Sequence, residues 1–241
     1  MPYSYYYGFD WTYILLVLPF VILSMWASAS VNSTFKKYAK QISSRNITAA
    51  QAANRVLQAN GVTNVRIEKV SGNLTDHYDP KANVIRLSDS VYGSASTAAI
   101  GVACHEAGHA VQYAAHYLPI HLRAAIIPIT NFGSKLAMPL ILLGIVLSSL
   151  GSFSDTIIYL GIGCFALSFL FQLITLPVEF NASRRAMQAI DDCQLLTHEE
   201  QKGARKTLRA AAMTYLAATA LSLAQLIRLL ALFDGRRSNR D

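Results

Sequence analysis

Four apolar stretches punctuate the chain, at residues 13–29, 136–153, 157–176 and 210–233. Each approaches the roughly 20 apolar residues that a helix needs to cross the hydrocarbon core of a bilayer. Trp11 and Trp26 flank the first in the manner of an interfacial aromatic belt. Gln225 and Arg228 interrupt the fourth, so the pattern predicts three to four transmembrane helices. Between the stretches the periods are shorter. Thr48 and Gln51 form a capping box for a helix that runs to Ala59 and stops at Gly61. Residues 62–70 alternate, with Val65 and Ile67 on one face and Arg66 and Glu68 on the other, as a half-buried strand does. Turns at 71–73 and 79–83 bound further strands at 74–78 and 84–87. Ser96 is placed to cap a helix over the alanine-rich run 97–115, and Pro119 to end it. Thr197 with Glu200 makes a second capping box, opening a helix that continues into the fourth apolar stretch.

The expected organisation is an N-terminal anchor (1–34), an extramembrane segment (35–135), a transmembrane hairpin (136–176), a second extramembrane segment (177–209), and an apolar helix with a basic tail (210–241). The fold class is a mainly α integral membrane protein with a small β-sheet in its polar part. Composition agrees: 53% of residues are hydrophobic and only 15% charged, where a soluble domain carries about 25%. The net charge of +7 does not require nucleic acid, because the cations sort by loop. None precedes Trp11 or falls in 151–156, while Lys36, Lys37 and Lys40 follow the first stretch and Arg184, Arg185, Lys202, Arg205, Lys206 and Arg209 follow the third. The positive-inside rule then puts the N-terminus outside and both polar segments in the cytoplasm of a multi-pass cell-membrane protein. Arg236, Arg237 and Arg240 conflict with a fourth crossing; either that tail is tolerated outside or the fourth run packs without spanning. Ala27-Ser28-Ala29 resembles a signal cleavage site, but the stretch before it lacks positive charge, which favours a retained anchor. The three cysteines suggest no disulfide framework, and Cys104 reads as a small buried residue.

The chemistry is concentrated in the alanine-rich helix, where His105-Glu106-Ala107-Gly108-His109 carries His-Glu-x-x-His. On a helix His105 and His109 share one face. Two imidazoles so placed suit one Zn²⁺ per chain, with Glu106 beside them to accept the proton of an attacking water. Gly108, next to His109, leaves room for another element to approach. A catalytic zinc takes a third protein ligand, and the candidates are Glu179, His77, His116, His121, His198, Glu199 and Glu200. Glu179 is favoured. Two spans separate it from His109, so the chain returns to the same side, and a carboxylate beside an apolar span is costly without a partner. His116 comes seven residues after His109, where the metzincin spacing is about six. His77, within Asp76-His77-Tyr78-Asp79, is a candidate catalytic residue that orients substrate or stabilises a developing oxyanion. One of the three strands is expected to pair with an extended substrate backbone.

These residues resemble a known family, the YugP-like membrane zinc metallopeptidases of bacteria. The resemblance rests on Leu74-Thr75-Asp76-His77-Tyr78-Asp79-Pro80, Arg86-Leu87-Ser88, the run from His105 to Gln112, and Leu176-Pro177-Val178-Glu179-Phe180-Asn181-Ala182-Ser183, and it covers most of the chain in order. It implies a gluzincin-type site like that of the HtpX-type membrane proteases, with His105, His109 and Glu179 as zinc ligands and Glu106 as catalytic base. The sequence departs from the pattern in carrying Asn181 where Asp is common. The implied function is hydrolysis of protein or peptide substrates at the cytoplasmic face. The alternative is a non-catalytic, metal-binding membrane scaffold, which the presence of Glu106 disfavours. An intramembrane protease would carry its motif inside an apolar span, whereas here a polar segment precedes it.

Overall fold

The structure is a computed structural model that describes residues 11–237, so Arg240 of the basic tail and the side chains of Arg236 and Arg237 lie outside the description. A π-helical turn, Tyr13–Val17, leads into α1 (Leu18–Tyr38). Then come α2 (Ala49–Ala59), β1 (Arg66–Val70), β2 (His77–Asp79), β3 (Val84–Ser88), α3 (Thr97–Ala114), α4 (Leu118–Val146), α5 (Ser152–Asp192) and α6 (His198–Arg237). The chain forms two compact units. One holds Ala27–Ala125 and Ile174–Tyr215; the other holds the stretch up to Trp26, Ile126–Leu173 and the residues from Leu216 on.

The first unit contains the motif. The capping box of α2 is formed, with Gln51 N–H donating to Thr48 Oγ1 and Thr48 N–H to Gln51 Oε1. Ala52, Ala53, Val56 and Leu57 of α2 are buried in the core that also holds Ala99, Ala103 and Ala107 of α3. The sheet has the order β1-β3-β2, with β3 parallel to β1 and antiparallel to β2. Both outer strands are shorter than the alternation predicts. Val62 is taken up by the end of α2, where its N–H donates to the Leu57 carbonyl, a helix-closing bond. Residues 74–76 are held out of β2 by a local loop: Leu74 has φ 55°, and Thr75 Oγ1 donates to the Ser71 carbonyl.

Small residues set the helix spacing. A Cβ on Gly108 would lie 2.8 Å from the carbonyl oxygen of Ala182 in α5, and one on Gly101 would lie 3.2 Å from the Cα of Ala204 in α6. The close approach expected at Gly108 is therefore present, and α5 is the element that makes it.

The second unit is built differently. Its buried cluster is small, Ile141, Ile158, Ile162 and Leu229. The α4–α5 hairpin closes on glycines: a Cβ at Gly161 would lie 2.9 Å from the Ala137 carbonyl oxygen, and Ser154 Oγ donates to the Gly144 carbonyl at 2.7 Å. Its outer surface is apolar, with Leu15 75% and Val146 77% exposed.

Two helix boundaries correct the sequence reading. The second apolar helix is not 136–153 but Leu118–Val146, because residues 147–151 form the hairpin turn, with Gly151 at φ 61°. Leu147, Leu150 and Phe153 are apolar and hid that turn, while Pro128 and Pro139 hid the upstream half of the helix. Pro119 lies in the first turn of α4, where proline's missing N–H costs nothing, rather than after a helix end. α5 runs unbroken through Pro177. The helices Tyr13–Tyr38, Leu118–Val146, Ser152–Asp192 and His198–Phe233 are all long and apolar enough to cross a membrane.

Candidate active site

Ser96 caps α3 by accepting from the Ala99 N–H, and the helical repeat then sets His105 and His109 on one face. Their rings meet edge-on, with centroids 4.7 Å apart. α5 brings Glu179 to the same place, 74 residues on from His105. Glu179 Oε2 lies 3.2 Å from His105 Nε2 and 3.6 Å from His109 Nε2. Glu179 is only 2% exposed and Glu106 and His109 8%. Ligand atoms of His105, His109 and Glu179 all lie within 4.8 Å of one another.

Each donor is held from behind. His105 Nδ1 is 3.1 Å from Ser183 Oγ, and His109 Nδ1 is 3.0 Å from Gln112 Oε1. Both imidazoles therefore turn Nε2 towards Glu179. The Gln112 amide donates in turn to the Val178 carbonyl (2.8 Å) and to Asn181 Oδ1 (3.0 Å), which also accepts from Arg185 Nε at 2.8 Å. The amide oxygen of Asn181 thus receives the hydrogen bonds that a carboxylate there would take. The second oxygen of Glu179 accepts from Arg123 Nη1 at 3.0 Å, and Tyr215 also hydrogen-bonds Glu179. Two imidazole nitrogens and one carboxylate oxygen, each oriented by an outer hydrogen bond, fit zinc. Burial pulls the His109 imidazole down, but the carboxylates of Glu179 and Glu106 outweigh it and leave its pKa above the ordinary value.

Replacing Gln112 by Ala removes the bond that orients His109. Outer ligands of this kind typically contribute about 10–100-fold in metal affinity. A loss in that range is expected for Gln112→Ala in a zinc titration with a competing chelator; unchanged affinity would mean that Gln112 does not support the site.

Similarity to known proteins agrees with this geometry. A family model described as "Putative neutral zinc metallopeptidase" matches residues 13–234. A protein of Bacillus subtilis (strain 168) named "Putative membrane protease YugP" is 46% identical over 228 residues, which is 94% of this chain and 99% of that relative. The chain belongs to the neutral zinc metallopeptidase family. No solved structure matches it. Within this family member, the other residues considered as a third ligand do not join the cluster of His105, His109 and Glu179. His116 stacks on His121 at 6.1 Å, and His121 meets the Tyr113 ring at 5.0 Å. Glu200 accepts from the Thr197 and Ser44 N–H groups, and Glu199 pairs with Lys202; His198 opens α6. Cys104 is fully buried, and burial pushes its thiol well above the ordinary range.

His77 is not brought to the cluster. It is exposed at the start of β2, with Nδ1 against the Thr75 carbonyl and Nε2 3.5 Å from Arg86. Strand alternation puts Tyr78 on the other face. There Tyr78 packs on Tyr113 of α3 at 5.6 Å. Asp76 accepts from the Ser88 N–H and hydroxyl, and burial and the charge of Glu106 raise its pKa. Arg123 and Tyr215 were not singled out in the sequence, and Gln112 and Ser183 stood only within the runs that carry the resemblance, with no role of their own. An arginine and a tyrosine next to apolar runs were the available signal for the first two.

Proposed function

We propose that this family member is a membrane-embedded zinc endopeptidase with its active site at the cytoplasmic face. The observation that carries this reading is the convergence of His105 Nε2, His109 Nε2 and Glu179 Oε2, each with its other polar atom already occupied. His105, His109 and Glu179 would hold the metal. Zinc at that position supplies Lewis acidity toward water and the scissile carbonyl. Glu106 accepts the proton of the attacking water and delivers it to the leaving amine. Arg123 and Tyr215 hold the Glu179 carboxylate in one orientation. β2 is an outer strand of the sheet and packs on α3 through Tyr78 and Tyr113, so its free edge suits an extended substrate segment. His77, exposed on the same strand, would act on the substrate rather than on the metal.

The membrane part of the reading is supported by four apolar helices, by their exposed apolar surface, by the sorting of lysines and arginines by loop, and by the name of the Bacillus relative. The detergent-purified chain is expected to cleave an unfolded model protein such as reduced casein, to stop on addition of a chelator, and to recover with Zn²⁺. Cleavage indifferent to chelation would reject the metal mechanism. Stoichiometric zinc without cleavage of any unfolded substrate would favour the scaffold alternative.

A further inference from the structure

Outside the site, α1 and the start of α6 border a cleft of about 360 Å³. Gly203 brings the helices together there: a Cβ on it would lie 2.8 Å from a ring carbon of Tyr38. Phe35 of α1 and Ala204 and Leu208 of α6 are buried in the same hydrophobic core. The outer faces line the cleft, with Ser30, Thr34 and Lys37 on α1 and Lys206, Arg209 and Met213 on α6. Both sets follow the helical repeat of three and four residues, so each is one continuous stripe.

Charge along these stripes is graded. Lys37 and Lys206 lie at the ends of α1 and α6 that face away from the apolar runs, Thr34 and Arg209 come next, and Ser30 and Met213 adjoin the apolar runs. No acidic side chain among the described residues lines the cleft. Among the described residues, Lys37, Lys206 and Arg209 form no ion pair; Lys37 only stands 5.6 Å from the Tyr38 ring. Three cations focused on one cleft form a site for phosphate oxygens. A free anion would need only the cationic end. An amphiphile also uses the apolar end, and basic clefts where helices leave a membrane on the cytoplasmic side suit anionic headgroups.

We propose that this cleft binds the phosphate headgroup of an anionic phospholipid. The proposal rests on the reading that α1 and α6 cross a bilayer. Its test is native mass spectrometry of the full chain in detergent, with added phosphatidylglycerol or phosphatidylcholine and the retained lipids counted. With three basic side chains, the wild type is expected to retain phosphatidylglycerol at least about tenfold over phosphatidylcholine, and Lys37→Gln/Lys206→Gln/Arg209→Gln to fall to within about twofold. Arg45→Gln/Arg55→Gln/Lys81→Gln removes the same charge from exposed positions elsewhere and is expected to keep the preference.

Equal retention of the two lipids by the wild type overturns the proposal, as does a preference that survives in the cleft variant. Loss of preference in the control variant overturns it too, by making net charge the cause. Complete displacement of phosphatidylglycerol by millimolar inorganic phosphate would make the cleft a free-anion site and overturn the lipid assignment. If the cleft triple variant fails to fold, Lys206→Gln and Arg209→Gln singly are each expected to lower the preference, and an unchanged ratio in both counts against the site. Retention is read without turnover, so loss of cleavage with an intact preference fails the peptidase reading alone. Recovery of the chain in the soluble fraction fails both.

Discussion

Glu106→Gln is expected to keep one zinc per chain and to lower kcat by about 10²–10⁴-fold. The amide has nearly the shape of the carboxylate but cannot accept the proton of an attacking water. Glu106 is not among the three converging side chains, so metal content should not move. It lies one residue from His105 on α3 and is almost buried, and its charge acts on both His109 and Asp76. A carboxylate whose charge is felt at His109 but which is not one of the converging ligands suits the proposed role of base. The check is steady-state cleavage of casein with zinc measured on the same samples. Turnover within a few-fold of wild type would remove Glu106 as base. Loss of zinc together with turnover would instead make it a ligand.

Glu179→Gln is expected to lose zinc while keeping the fold, and with zinc all detectable cleavage. The amide preserves the volume beside His105 and His109 and can still accept from Arg123, but it is a poor zinc ligand. Glu179→Ala should be worse. Arg123 then loses its 3.0 Å partner, and breaking a buried ion pair costs about 3–5 kcal/mol. Because the Arg123 side chain is 28% exposed, solvent recovers part of that, and the lower end of the range is expected. Zinc content and thermal unfolding of both variants separate the two effects. Full zinc occupancy in Glu179→Gln would reject Glu179 as a ligand.

Local rules carried much of the fold into the sequence. Caps at Thr48, Ser96 and Thr197 depend on neighbours three residues away, so they were legible and are present. The His-Glu-x-x-His motif needed only the helical repeat. The turn at 147–151 was hidden by its own apolar residues. The lengths of β1 and β2 were lost because Val62 serves the end of α2 and Leu74 a loop, and alternation cannot register either use.

The sequence by itself determined that the chain carries four long apolar helices, the helix caps and the placement of His105 and His109 on one helix face, because each depends on residue type and on spacing along one element. Only the tertiary structure decided what stands behind the site. Ser183 and Gln112 turn the two imidazoles, Asn181 steadies Gln112, and Arg123 and Tyr215 hold Glu179. These contacts join α3, α4, α5 and α6, and they require the approach of α5 that Gly108 permits. No period along the chain encodes which side chains meet across helices packed that closely; the packing itself selects them.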